Sequence, residues 1–285
     1  MDSSKFLILG GNGQLGKALQ AQYPNAHATD VTELDITDIQ SLQSFDWSNV
    51  STILNAAAYT NVDGAETPDG RLSAWKINAM AVGQLASIAL EHDLTLVHIS
   101  TEYVFDGSKK VHTEDEPLSP LGVYAQTKAA AEIAAAIAPK HYICRTSWLI
   151  GEGNNFVRTM LGLAEKNVSP AVVADQIGRL TFTQTLVKAI DHLLGSETPY
   201  GVYNITNDGQ PASWSEITRL IFKELGRNDL TVTGTTTKEY FAGKPDTSPR
   251  PLHSTMDLAK IKSTGLDIAD WHEELRTYIK KEVQL

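Results

Sequence analysis

Tyr124 and Lys128 stand four residues apart in the stretch Tyr124-Ala125-Gln126-Thr127-Lys128, at the head of an alanine-rich run that reaches Ala138. Alanine is the strongest helix former, so the run predicts a helix, and residues four apart on a helix share a face. A phenol ordinarily releases its proton near pH ~10, and a neighbouring ammonium favours the phenolate and lowers that value. The pair is suited to handing a proton to a carbonyl oxygen near neutral pH. The lysine could also hold a ribose hydroxyl. Such spacing is common on helix surfaces, and its place in the chain is what gives it weight.

The elements that must position the pair begin with residues 5–9, an apolar run read as a buried strand. It leads into Gly10-Gly11-Asn12-Gly13-Gln14-Leu15-Gly16 and a helical stretch over 17–22. Glycines at 10, 13 and 16 permit a tight turn, close approach of a pyrophosphate, and packing of helix on strand. The helix start offers amide donors and a favourable dipole to phosphate. A second strand over 26–29 ends at Asp30, where a carboxylate would take a ribose hydroxyl and favour NAD over the 2′-phosphate of NADP. Asp35 and Ile36 could close over an adenine, with Thr37 or Asp38 capping the next helix.

A third strand over 51–55 ends in Ala56-Ala57-Ala58-Tyr59-Thr60-Asn61-Val62-Asp63, whose small residues leave room for a cofactor. One long helix is expected over 71–92, with Ile77, Met80, Ala81, Leu85, Ile88 and Ala89 as its core stripe. A fourth strand over 95–99 delivers Ser100 and Thr101, and a hydroxyl there could share a substrate carbonyl with Tyr124. Residues 108–122, with Pro117 and Pro120, read as a loop. A fifth strand over 141–145 ends at Thr146-Ser147-Trp148. Strand and helix alternate throughout this half, which predicts an α/β fold with a Rossmann-like, doubly wound parallel sheet.

Beyond Gly153 the rhythm loosens. Helices are expected over 156–166, 183–194 and 213–225, and strands over 171–173 and 201–205. Residues 235–252, with Pro245, Pro249 and Pro251, read as an extended loop before two short helices over 257–263 and 268–280. The expected division is a NAD(P)-binding domain over 1–152, with part of 170–212 contributing, and a smaller, mainly substrate-binding α/β domain over 153–285. The net charge of −10 argues against a nucleic-acid surface. No apolar run is long enough to span a bilayer, and residues 1–5 lack a signal peptide's character, so a cytoplasmic protein is expected. The lone cysteine, Cys144, has no partner for an internal disulfide and reads as a small core residue. The eight histidines are scattered and read as structural or exposed, and the sequence contains no metal-ligand cluster.

In order, these signals are a glycine loop, Asp30, a small strand end, Ser100-Thr101 and Tyr124-x-x-x-Lys128. With that order the sequence resembles the extended short-chain dehydrogenase/reductase superfamily, over nearly the whole chain. Within it, the likeness is to reductases of dTDP-linked keto-sugars. It is carried by GGNGQLG at Gly10, NAAAYTNVDGAE at Asn55, STEYVFDG at Ser100 and PLGVYAQTKAAAE at Pro120. RTSWLIG at Arg145, NNFVRTM at Asn154, DQIGRLT at Asp175 and SPRPLHSTMD at Ser248 continue it.

The resemblance implies reduction by NADH or NADPH of the C4 ketone of a dTDP-linked 4-keto-6-deoxy-mannose-type sugar, yielding dTDP-L-rhamnose. Asp30 tilts the cofactor expectation toward NADH. Tyr124 would be the proton donor, Lys128 its partner and ribose ligand, and Thr101 a hydrogen-bond partner of the reacting oxygen. Gly10, Gly13, Gln14, Leu15 and Gly16 would line the pyrophosphate, and Asp30, Asp35, Ile36, Ala58, Tyr59 and Thr60 the rest of the cofactor. Thr60, Val62, Thr101, Glu102, Tyr103 and Trp148 would face the sugar. Some relatives are homodimers that depend on a metal such as Mg2+, but no acidic pair here calls for one. Three departures stand out. Glu102 replaces a usual aspartate, Leu180 a usual proline that would stiffen its loop, and Ile150 a frequent aromatic. The resemblance also leaves open a reductase of another nucleotide-linked 4-keto-6-deoxy sugar. It leaves open, too, a non-catalytic NADP-binding regulatory subunit of methionine adenosyltransferase, against which the joint presence of Tyr124 and Lys128 weighs.

Overall fold

The structure is a computed structural model that describes residues 1–283. A short 3-10 turn at Ser3–Lys5 precedes β1 (Phe6–Leu9), whose four residues are all buried. The chain continues through α1 (Gln14–Gln22), β2 (His27–Thr29), α2 (Ile39–Ser44) and β3 (Thr52–Asn55). Asp38 caps α2 by accepting from the Gln40 amide at 2.9 Å, as expected of that position. Next come α3 (Pro68–Ala74), α4 (Ala81–Glu91), β4 (Thr95–Thr101), α5 (Val123–Ala135) and β5 (His141–Thr146).

The second half opens with β6 (Leu149–Ile150), α6 (Phe156–Glu165), β7 (Ala171–Val173), β8 (Ile177–Gly178) and β9 (Thr181–Phe182). It proceeds through α7 (Thr183–Gly195), β10 (Gly201–Asn204), β11 (Ala212–Ser213), α8 (Trp214–Glu224) and β12 (Thr233–Thr235). Three further helices complete the described chain, namely α9 (Thr237–Phe241), α10 (Ala259–Ser263) and α11 (Trp271–Val283).

One parallel six-stranded sheet, ordered β10-β5-β4-β3-β1-β2, carries the first half. Its strand order reverses at β1, so a crevice opens between the carboxyl ends of β1 and β3. Apolar residues cover both faces, with Leu186, Ile190 and Tyr203 on one side and Val82, Leu85 and Ala135 on the other. β10 reaches this sheet from the second half of the chain. The remaining short strands pair among themselves and surround a separate core of Ile150, Leu180, Phe182, Ile221 and Trp271.

Several expectations need correction. The single helix over 71–92 is three segments, because Trp75–Met80 forms a π turn between α3 and α4. The extra residue per turn rotates the stripe. Met80 is 62% exposed, and Ile77 lines a cleft rather than the core. In return the turn buries Asn78, whose amide holds both the N–H and C=O of Tyr59 and the Thr127 hydroxyl. It thereby ties the loop after β3 to α5, an instance of π turns recurring at functional sites. The stretch 235–252 is not all loop. Thr236 and Glu239 form a capping box that starts α9. Leu180, in the place of a proline, is fully buried, so packing rather than ring stiffness holds that segment.

The glycine loop is as tight as its spacing implies. Gly10 has φ +77°, and a Cβ on it would lie 2.7 Å from the Ala57 nitrogen. A Cβ on Gly16 would lie 2.1 Å from the Gly10 oxygen. Gly16→Ala is therefore expected to lower stability by about 1–3 kcal/mol or more through overpacking. The check is the denaturant midpoint, and a variant as stable as the parent would show that the loop can relax around a methyl group.

Candidate active site

A cleft of about 460 Å³ opens at the reversal of strand order. Gly10, Gly13, Asp30, Asp35, Ile36 and Ala58 all line it. The N-cap of α1 is Gly13, which supplies no side-chain acceptor to the first-turn amides, so those donors remain free for an anion. Asp30 is fixed by the Asn12 and Val31 amides at 3.0 and 2.8 Å. The Thr37 hydroxyl and amide hold Asp35, and they keep its carboxyl below the usual range. Free amides, a backbone that admits no Cβ and a positioned carboxylate are what a dinucleotide needs, and the residues present fit one.

Other expected residues sit behind or beside this cleft. The Leu15 side chain is in the core, leaving only its backbone for a phosphate. Gly16 packs against the loop, and the Gln14 side chain donates through Nε2 to the Asn154 carbonyl across the two halves. Tyr59 is held through its backbone by Asn78, while Thr60 is exposed and Val62 half-buried on the following loop. Ser73 and Lys76 line the cleft unannounced by the sequence. Ser73 comes from α3 and Lys76 from the π turn, which a helical periodicity could not reveal.

The Tyr124 and Lys128 pair occupies one helix, α5, as expected, but its electrostatics differ. The Lys128 ammonium donates to the Ile99 carbonyl at 2.6 Å and lies 3.4 Å from the His98 ring. Burial pushes Lys128 down to about 8, against the pull of Glu132. Tyr124 is raised rather than lowered, by burial first and then by Glu102 and Tyr103, with Thr101 working the other way. The expected cationic depression of the phenol is absent because the amine is turned toward β4 and burial dominates.

Thr101 and Glu102 follow at the end of β4. The Thr101 hydroxyl donates to Glu102 at 2.8 Å and accepts from the Tyr103 amide at 3.2 Å. Glu102, 3% exposed, is pushed up to about 7 by burial, with the Thr101 and Ser254 hydroxyls opposing. The Glu102 carboxylate thus reaches Thr101 itself. Ser100 does not face Tyr124, because its hydroxyl is spent on Glu132.

A second cleft of about 380 Å³ adjoins this end of the sheet. Tyr103 forms part of its wall, and the Tyr103 and Tyr124 rings meet edge to face at 5.9 Å. The opposite wall comes from the second half, including Phe156, Gln176, Trp214, Phe241 and Arg250. Trp148 stands behind it, stacked on Trp214 at 3.7 Å. Arg250 bonds Asp63 at 2.8 Å and lies over the Phe241 ring, so one guanidinium joins the loop after β3 to the C-terminal half. Sequence reasoning missed Arg250, although it lay inside a quoted stretch, because nothing local marks which arginine will face a cleft.

Glu102 yields a pH prediction. Its folded-state value lies above the ordinary carboxylate value near 4.5, so the folded protein holds this proton more tightly than the unfolded chain does. The wild-type protein thus loses stability as pH rises from the unfolded value through the folded one, and Glu102→Gln does not. The variant should gain up to roughly 3 kcal/mol on the parent between about pH 4 and about pH 8. Denaturant melts at both pH values check this, and a difference independent of pH would sink it.

Comparison with known proteins agrees with this geometry. A family model described as the RmlD substrate binding domain matches residues 4–284. A dTDP-4-dehydrorhamnose reductase from Aggregatibacter actinomycetemcomitans is 38% identical over 295 residues, covering 96% of this chain and 97% of that one. The crystal structure of a dTDP-4-dehydrorhamnose reductase from Clostridium acetobutylicum is 36% identical, with a TM-score of 0.89 over 98% of this chain and 99% of that one. Another from Bacillus anthracis, solved in complex with NADP, is 33% identical with a TM-score of 0.89, covering 97% and 98%. On the family match and on identity sustained across nearly the whole length, this chain belongs to the RmlD substrate binding domain family.

Proposed function

We propose that this protein is an NAD(P)H-dependent reductase that converts the C4 ketone of dTDP-4-dehydrorhamnose to the alcohol of dTDP-L-rhamnose, the last step in making that nucleotide sugar. The observation that carries the reading is that β4 and α5 bring Thr101, Tyr124 and Lys128 to one end of the sheet, with Lys128 bonded to the Ile99 carbonyl of β4 and Tyr124 packed on Tyr103, which lines the second cleft. Residues 1–152, joined by β10, would bind the dinucleotide. Residues 153–285 would supply most of the wall around the dTDP-sugar. Tyr103, Trp214 and Arg250 would face that ligand, with Glu102 near the sugar and Trp148 bracing Trp214.

A reduced nicotinamide would supply the hydride. The chain's own residues handle the proton and the charge. Tyr124, held protonated by its burial, donates to the forming alkoxide oxygen, and it is a better donor for being difficult to ionise beforehand. Thr101 offers a second hydrogen bond to that oxygen, once its hydroxyl turns from Glu102. Lys128 would hold the ribose hydroxyls and return a proton toward Tyr124. Asp30 would accept from the adenosine ribose and repel a 2′-phosphate, favouring NADH.

The decisive assay supplies the 4-keto sugar with NADH or NADPH, follows loss of the reduced cofactor's absorbance, and identifies the product. Oxidation with dTDP-L-rhamnose as product is expected. Tyr124→Phe should bind cofactor normally and lose activity by on the order of 100-fold or more; full activity in that variant would remove Tyr124 as the acid. In direct titrations NADH should bind more tightly than NADPH, and Asp30→Ala should narrow the gap by roughly tenfold. An unchanged ratio would take Asp30 out of the ribose site.

A further inference from the structure

His98 is 1% exposed, sits on β4 and lines neither cleft. Its two ring nitrogens are both occupied. Nδ1 lies 3.2 Å from the Asn55 amide nitrogen, and Nε2 lies 3.4 Å from the Lys128 amine. The Asn55 orientation follows from its own contacts, since Oδ1 accepts the Ala57 amide at 3.2 Å. The amide nitrogen is therefore the group that faces Nδ1, and it donates. A neutral imidazole whose Nδ1 accepts must carry its hydrogen on Nε2. That N–H points at Lys128.

We infer that His98 is a positioning residue for Lys128, its Nε2–H deciding when the buried amine carries its proton. An ammonium has three donors and no acceptor, whereas a neutral amine has one lone pair. Nε2–H can thus be satisfied only by the neutral amine, and it crowds the ammonium. The groups facing Lys128 are few. Glu132, one turn along α5, favours the ammonium, but its carboxylate is already engaged by Arg145 from β5 and Ser100 from β4. The Ile99 carbonyl on β4 accepts from the amine in either state. Tyr124 lies one turn back on α5. Burial keeps His98 itself neutral, well below the usual imidazole value, with Lys128 adding to that effect.

When a proton leaves Nζ toward the Tyr124 side, the lone pair left behind takes the Nε2–H bond, and His98 neither gains nor loses a proton. When the proton returns, that bond breaks. Asn55 ends the chain of contacts away from solvent, so His98 biases an equilibrium rather than relaying a proton to water. The consequence for turnover rests on the reading of Lys128 as the residue that resupplies Tyr124. The placement of the hydrogen does not.

The first test is nuclear magnetic resonance of the full chain labelled with nitrogen-15 in histidine, titrated from about pH 6 to about pH 10. The signal absent from His98→Gln identifies His98. It should report a neutral ring with hydrogen on Nε2, and it should shift in one step as Lys128 titrates, a step lost in Lys128→Met. Hydrogen on Nδ1, no step, or a step that survives in Lys128→Met would overturn the inference. The second test is the dissociation constant of NADH or NADPH against pH. In His98→Gln, whose amide oxygen can accept from the ammonium, the alkaline loss of binding should move up by about one pH unit, with affinity at lower pH retained. An equal weakening at every pH would mark a packing histidine. If the parent bound neither cofactor, the reductase reading would fall, while the resonance titration would still decide the hydrogen's place.

Discussion

Glu132 is buried, and its carboxylate accepts from Arg145 through both Nε and Nη2 and from the Ser100 hydroxyl. Three elements meet in that one group, namely α5, β5 and β4. Taking a carboxylate and a guanidinium out of water costs several kcal/mol per ion, and only a fully hydrogen-bonded pair offsets it. Arg145 completes its share by donating to the Glu114 carbonyl and lying over Phe105. The arrangement has almost no freedom to slide, because any shift would leave a buried charge unpaired. Thr101 one residue beyond Ser100 and Lys128 one turn before Glu132 inherit their relative positions from it.

The chemistry set on that frame depends on dryness. Burial dominates the shift of every ionisable group at the end of β4. It holds Tyr124 protonated, brings Glu102 up to about 7 and brings Lys128 down to about 8. Glu102 and Lys128, which titrate far apart in water, are drawn toward one another here, while Tyr124 and Lys128, which titrate close together in water, are driven apart. A phenol that waits in its neutral form is a competent donor to an alkoxide, and a lysine close to its titration point can restore it.

The two clefts obey different constraints. The one between β1 and β3 is a backbone feature, built from a loop that excludes side chains and from free amides at a helix start. The second is a side-chain feature that takes aromatic walls from both halves. Arg250, joined to Asp63, ties those halves together at the rim. That division explains why the first is recognisable from glycine spacing alone. Its turn is one short contiguous stretch, Gly10 to Gly16, whereas the second gathers Tyr103, Phe156, Gln176, Trp214 and Arg250 from five separate segments.

Local pattern alone determined the parallel sheet, the glycine turn, the Asp30 and Asp35 positions and the shared helix of Tyr124 and Lys128. Each follows from short-range rules of periodicity, backbone sterics and helix geometry. Those rules carry no information about which groups lose water. Tertiary structure alone decided that Lys128 would turn to His98 and Ile99 rather than toward Tyr124, and that Ser100 would serve Glu132 while Thr101 served Glu102. It also decided that a π turn would rotate Met80 outward while Lys76 lines the first cleft. Burial and hydrogen-bond partnership are properties of groups brought together from distant positions. The sequence names those groups, and only the closed fold sets the distances at which they act.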